Sequence, residues 1–192
     1  MEKVKNVAKE MLQNATWSVE QLNEEDMKGM IDIFPKAKKI FVLGVGHSGL
    51  IGKVFAMKLA HLGFNSYVVG DVTTPALNSG DVMVAISQSG ETPTIITLCQ
   101  KAKKLGGKIM AITSSPKSIL SKLADYTVVI RAKSKDIDFA NFSSLGDKEH
   151  KNMSGALFGL NIYLFFYGLI CELAEVIGQT PKQIDSRHAN IE

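Results

Sequence analysis

The 192 residues carry 22 basic and 19 acidic side chains, and a formal charge of +3 with dispersed lysines argues against a nucleic-acid partner. Hydrophobic residues at 45% and charged residues at 21% describe an ordinary globular chain, read as one domain over 1–192. The charged, amphipathic opening MEKVKNVAKEMLQNA is unlike a secretory leader. Cys99 and Cys171 sit in apolar, helix-like stretches without metal-ligand spacing, which reads as buried reduced thiols in a cytoplasmic protein with no metal.

Two helices are predicted over 1–34. Val4, Val7, Met11, Leu12 and Ala15 recur at helical spacing and predict a first amphipathic helix. Asn23, with Asp26 three residues on, predicts the N-cap of a second, whose buried stripe is Met27, Met30 and Ile31 and which Pro35 ends.

Residues 38–131 then alternate between two periods. Strands are predicted at Lys39–Leu43, Ser66–Val69, Asp81–Ser87, Gly107–Ile112 and Tyr126–Ile130, with helices at Leu50–Leu62, Thr94–Leu105 and Ser118–Leu123. The strands are continuous apolar runs, the pattern of parallel strands covered on both faces. The fold class that follows is α/β, a three-layer αβα sandwich around a parallel sheet of about five strands in a flavodoxin-like arrangement.

Residues 133–151 have scattered charge and no period, and they read as a functional or mobile loop. C-terminal helices are predicted over 152–192. No charged residue occurs from Asn152 to Cys171, a length that borders on a membrane span. Asn152, Ser154, Asn161 and interrupting glycines, with Glu172 and Glu175 rather than basic residues after the run, favour a buried helix partly covered by another subunit.

Two strand-to-helix loops carry the candidate chemistry. The first, Gly44-Val45-Gly46-His47-Ser48-Gly49, lets the backbone approach an anion at a helix N-terminus. It also fits a dinucleotide fingerprint with Asp71 as the acid. The second, Ser87-Gln88-Ser89-Gly90-Glu91-Thr92, gathers three hydroxyls and a glycine at a second helix start, which suits a dianionic phosphate. A helix cap would need the same residues. Two such loops on neighbouring strands favour a ligand crevice at the strand carboxyl ends, with Gly46, His47, Ser48, Ser87, Ser89, Gly90, Glu91 and Thr92 as its binding residues.

GVGHSG, ISQSGET and ITSSPKS resemble the sugar isomerase (SIS) domain over nearly the whole chain. The stretch Phe55–Phe64, Thr73-Thr74-Pro75 and the closing His188-Ala189-Asn190 look like its 6-phospho-3-hexuloisomerase subgroup. The resemblance implies a sugar phosphate held by Ser48, Ser87, Ser89 and Thr92. It implies aldose–ketose isomerisation through a cis-enediol without a cofactor, by a homodimer or homotetramer. The subgroup's base is a Glu just after a Gly-x-x-Phe stretch; here Gly155-Ala156-Leu157-Phe158 is followed by Gly159 and Leu160. The subgroup has Arg where this chain has His47. His188, from across a subunit boundary, and Glu149, in the irregular loop, are then the candidate catalytic residues. His47 could serve as a phosphate or hydroxyl partner, and His61 reads as a packed or capping histidine. Two other readings stand beside this one: a non-catalytic phosphosugar-binding or sensing protein, and an arabinose-5-phosphate-type isomerase.

Overall fold

The computed structural model describes residues 2–132 and 150–191. Its elements are α1 (Glu2–Glu20), α2 (Glu24–Ile33), a single 3₁₀ turn at Phe34–Lys36, β1 (Ile40–Gly44), α3 (Gly46–His61), β2 (Ser66–Val68) and β3 (Val82–Ile86). They continue with α4 (Pro93–Lys104), β4 (Lys108–Thr113), α5 (Ile119–Leu123), β5 (Tyr126–Val129), α6 (His150–Val176) and α7 (Pro181–Asp185).

All five strands are parallel, in the order β2-β1-β3-β4-β5. Successive strand residues point to opposite faces, so each strand feeds two cores. Ile40, Val42, Val84, Ile86 and Met110 pack under α2, α3 and α6. Phe41, Leu43, Met83, Ala85 and Ile109 pack under α4 and α5. That two-sided burial is why the strands read as unbroken apolar runs rather than alternating ones.

α3 and α6 lie together on the first face. Phe55 and Phe166 stack there with ring centroids 4.0 Å apart and planes inclined 11°, and Phe34 meets Phe55 edge-on at 6.1 Å. α6 is long and apolar enough to cross a membrane by length and composition, but half of its apolar window is buried against the rest of the chain. Leu157, Phe158, Ile162, Phe165, Phe166, Leu169 and Leu173 form that buried side. Asn161, which interrupts the apolar pattern, is buried too: its Nδ2 donates to Asn14 Oδ1 at 3.2 Å and to the Arg131 carbonyl at 2.9 Å. Ser18 Oγ donates to the same carbonyl at 2.6 Å, so polar groups of α1 and α6 hold the chain as it leaves β5.

Val4 and Leu12, two of the apolar positions at helical spacing in the first helix, are exposed, and α1 buries Asn14, Ala15 and Ser18. The buried residues of α1 all lie in its C-terminal half, where Asn14 accepts from Asn161 of α6. Two sequence expectations need correction. Cys99 is buried as expected, but Cys171 is exposed, because it lies on the side of α6 turned away from the sheet. α3 begins at Gly46 rather than Leu50, the weak helix propensity of the glycine loop having hidden its first turn. Asn23 caps α2 as expected, accepting from the Asp26 N–H at 3.0 Å.

Candidate functional site

β1 and β3 are neighbours, with Gly44 opposite Ile86 at their carboxyl ends. After β1 the chain turns into α3 on one face; after β3 it turns into α4 on the other. The two turns therefore open side by side, about one inter-strand spacing (~4.8 Å) apart at their roots. This is the switch point where doubly wound sheets place their ligands.

The glycines of the first turn have separate tasks. A Cβ on Gly44 would lie 2.8 Å from the Gly49 amide nitrogen, and one on Gly49 would lie 2.8 Å from the Gly44 carbonyl oxygen. The end of β1 and the first turn of α3 thus touch backbone to backbone. Gly46 takes φ +58, open to glycine and strained for other residues. α3 therefore starts at the carboxyl end of β1, with the unpaired N–H groups of a helix start and Ser48 in its first turn.

The second turn is built from its own hydroxyls. Ser87, buried, accepts the Gly90 N–H on its Oγ at 3.2 Å and lies 3.0 Å from Thr92 Oγ1. Ser89, exposed, accepts the Glu91 N–H at 3.2 Å. Only one hydrogen can be shared between Ser87 and Thr92, so the pair retains a donor for an incoming oxyanion, and the Ser89 oxygen acts as acceptor while its hydrogen points elsewhere. Gly90 has φ +65, and a Cβ there would collide with the Ser118 hydroxyl. Thr113 Oγ1 and Ser114 Oγ both donate to the Gln88 carbonyl, at 3.0 and 2.9 Å, so the turn after β4 braces this one.

Glu91 Oε1 accepts the Ile119 N–H at 2.9 Å, capping the start of α5. Asp71, the acid of the dinucleotide pattern, is paired with Lys53 of α3 at 3.2 Å.

The N-terminal part of α6, where the resemblance put the subgroup's base, forms the third wall. A Cβ on Gly155 would lie 3.7 Å from Gln88 Oε1. A Cβ on Gly159 would strike the His47 ring at Cε1, with Nδ1 at 2.7 Å and Nε2 at 3.0 Å. The imidazole therefore rests on the bare backbone of α6, and the two positions at which this chain departs from the resemblance, 47 and 159, are in contact. The available signal was the spacing of four between Gly155 and Gly159, which sets both on one helix face.

His188 lies elsewhere in the chain. Its ring is 4.0 Å from that of His61, the last residue of α3. Ser48 is near the opposite end of that helix, about 20 Å away at a rise of ~1.5 Å per residue. His61 is half-buried, with Nδ1 unpartnered. Glu149 falls outside the described residues. Among the described residues no group of three or more His, Cys, Asp or Glu could hold a metal ion.

Known proteins resemble this chain in sequence and in fold. A Bacillus subtilis protein named 3-hexulose-6-phosphate isomerase is 33% identical over 183 residues, 95% of this chain and 96% of its own. An uncharacterised Methanothermobacter thermautotrophicus protein is 36% identical over 195 residues, 100% of this chain and 98% of its own. Among solved structures, a Methanococcus jannaschii protein superposes with a TM-score of 0.77 at 32% identity, all of each chain being covered. Its structure was taken to infer the molecular function of 3-hexulose-6-phosphate isomerase. The SIS domain family model matches residues 33–147, the stretch that holds both turns and the whole sheet, and the chain belongs to the SIS domain family.

Proposed function

We propose that this chain is an isomerase of sugar phosphates that moves a carbonyl to the adjacent carbon through a cis-enediol, with a 3-hexulose 6-phosphate, converted to the 2-ketose, as the substrate its relatives suggest. The phosphate is held by the hydroxyls of Ser48, Ser87, Ser89 and Thr92 and by the N–H groups at the start of α3, with Gly46 and Gly90 allowing close approach. The observation that carries this reading is the pairing of two hydroxyl-bearing turns at one switch point. An anion bridging them meets donors from both sides, whereas a dinucleotide calls for only the first. Glu91 serves by holding the second turn to α5. Glu149 and His188 are further candidates for proton transfer, His188 entering from a second copy because its own chain holds it beyond reach. A cytoplasmic homodimer or homotetramer, closed over the exposed side of α6, belongs to the same reading.

The test is incubation with fructose 6-phosphate in heavy water. Deuterium uptake at a carbon beside the carbonyl, abolished together with binding in a Ser87→Ala, Ser89→Ala double variant, is the expected result. A thermal shift with sugar phosphates but no uptake across a panel of them would favour the second reading, a binding or sensing protein. The absence of any acid at Gly159 is what keeps that reading open.

A further inference from the structure

Proton transfer in the crevice needs a group that can accept and return a proton there. Among the described residues, the two turns from Gly44 to Leu50 and from Ser87 to Thr92 contain two titratable side chains, His47 and Glu91. The Glu91 carboxylate accepts the Ile119 N–H through Oε1, at the start of α5. The α6 wall from Gly155 to Asn161 contributes no titratable side chain. His61 and His188 stand against each other at the far end of α3.

The His47 imidazole sits between the turns and the α6 wall, with a seat made for it. Any side chain at position 159 would enter the space of the ring, since even a lone Cβ would reach Nδ1 at 2.7 Å. Gly159 is buried while His47 is exposed, so the helix covers one side of the ring and the other is open. His47 adjoins Ser48 in the first turn of α3. A sugar anchored by its phosphate at those hydroxyls would place its reacting carbons a few bonds further on, over the first turn of α3 and beside α6. An imidazole is suited to this task because it changes protonation between about pH 5 and 8, and so can take up a proton and give it back near neutrality.

We propose that the His47 imidazole, seated on the backbone of Gly159, is the base that carries the proton between the two carbons. The inference rests on the isomerase reading above. One ring nitrogen takes the proton from the hydroxyl-bearing carbon next to the carbonyl. The C–H pair becomes the second bond between the two carbons, the carbonyl pair moves onto its oxygen, and that oxygen takes a proton from solvent. The imidazolium then gives its proton to the former carbonyl carbon. The neighbouring hydroxyl loses its proton to solvent and becomes the new carbonyl. No electrons enter or leave, and no co-reactant is consumed.

The experiment compares wild type, His47→Ala, His47→Asn and Gly159→Ala in heavy water with fructose 6-phosphate, following deuterium uptake and, separately, phosphosugar binding by thermal shift. Both His47 variants should lose exchange by about 100-fold or more, the usual contribution of a general base, while binding changes little. Added imidazole should restore part of the exchange to His47→Ala, where the seat on Gly159 is vacated, and not to His47→Asn, where it is filled. Gly159→Ala should stay folded, since Ala suits a helix better than Gly, yet lose exchange because its methyl group displaces the ring. Exchange at the wild-type rate in His47→Asn would overturn the proposal, as would a loss explained wholly by weaker binding. A wild type that binds phosphosugars without exchanging would instead remove the isomerase reading itself, and this assignment with it.

Discussion

The imidazoles of His61 and His188 lie with ring centroids 4.0 Å apart and planes inclined 40°, joining the C-terminal tail to the end of α3. Arg187 straps the same junction: its Nη1 donates to the His61 carbonyl at 3.1 Å and to Gln179 Oε1 at 2.7 Å. Burial, then the charges of His188 and Lys58, hold the His61 imidazole below its ordinary range. The folded chain therefore binds this proton less readily than the unfolded chain. The stability so contributed is complete above the ordinary imidazole value of about 6.5 and is lost as the pH falls from there toward the lowered one. Thermal midpoints should thus drop as the pH is taken below neutrality, and His61→Asn should flatten that drop. Equal slopes for the two proteins would show that the junction does not titrate.

Phe166 should be among the costliest positions in the chain to truncate. It is buried, stacked on Phe55 at 4.0 Å, and is the main aromatic link between α6 and the helix that carries His47 and Ser48. Phe166→Ala should cost about 3–5 kcal/mol, the usual range for a buried aromatic, in a denaturant titration. Phe166→Leu should recover much of that. A loss under about 1 kcal/mol would mean that the cavity collapses, with α6 free to move against α3.

The order of elements was legible because it depends on period and punctuation: buried parallel strands read as apolar runs, and glycines mark the turns into α3 and α4. The two hydroxyl turns were legible for the same reason, as adjacent strands bring loops together whatever the details of the side chains. The resemblance set position 159 beside the site, but what the α6 wall touches was not legible. Its contact with the first turn joins Gly159 to His47 across more than a hundred residues, and two glycines in an apolar helix look like packing or membrane features. Nor could position in the chain show that Glu91 turns to Ile119, since that depends on where α5 begins in space. His188 was read from a terminal motif, and only the fold shows that within one chain it meets His61 rather than Ser48.

Glu91 offers a test of that distinction. Its carboxylate is exposed and accepts one backbone N–H at the start of α5. Glu91→Gln keeps an oxygen for Ile119 and should change stability little. Glu91→Ala removes the cap and should cost about 1 kcal/mol, with a weaker thermal shift from phosphosugar because the second turn loses its brace. If Glu91→Gln alone abolished phosphosugar binding, the carboxylate would have to contact the ligand directly.

The two cysteines should separate cleanly. Burial pushes the Cys99 thiol up to about 12, so it holds almost no thiolate at about pH 8 and is shielded as well. Cys171 is exposed on α6, on the side that also presents Leu164, Tyr167 and Gly168. A dilute native sample should take up one equivalent of a thiol reagent, at Cys171, and a denatured sample two. That side of α6 is apolar for an exposed helix face, and if copies associate over it the Cys171 rate should fall as protein concentration rises. Cys171→Ser should then leave the folded protein unreactive at every concentration. Labelling of Cys99 in that variant would show that the core under α4 opens on the timescale of the reaction, and a Cys171 rate independent of concentration would place any subunit contact on another face.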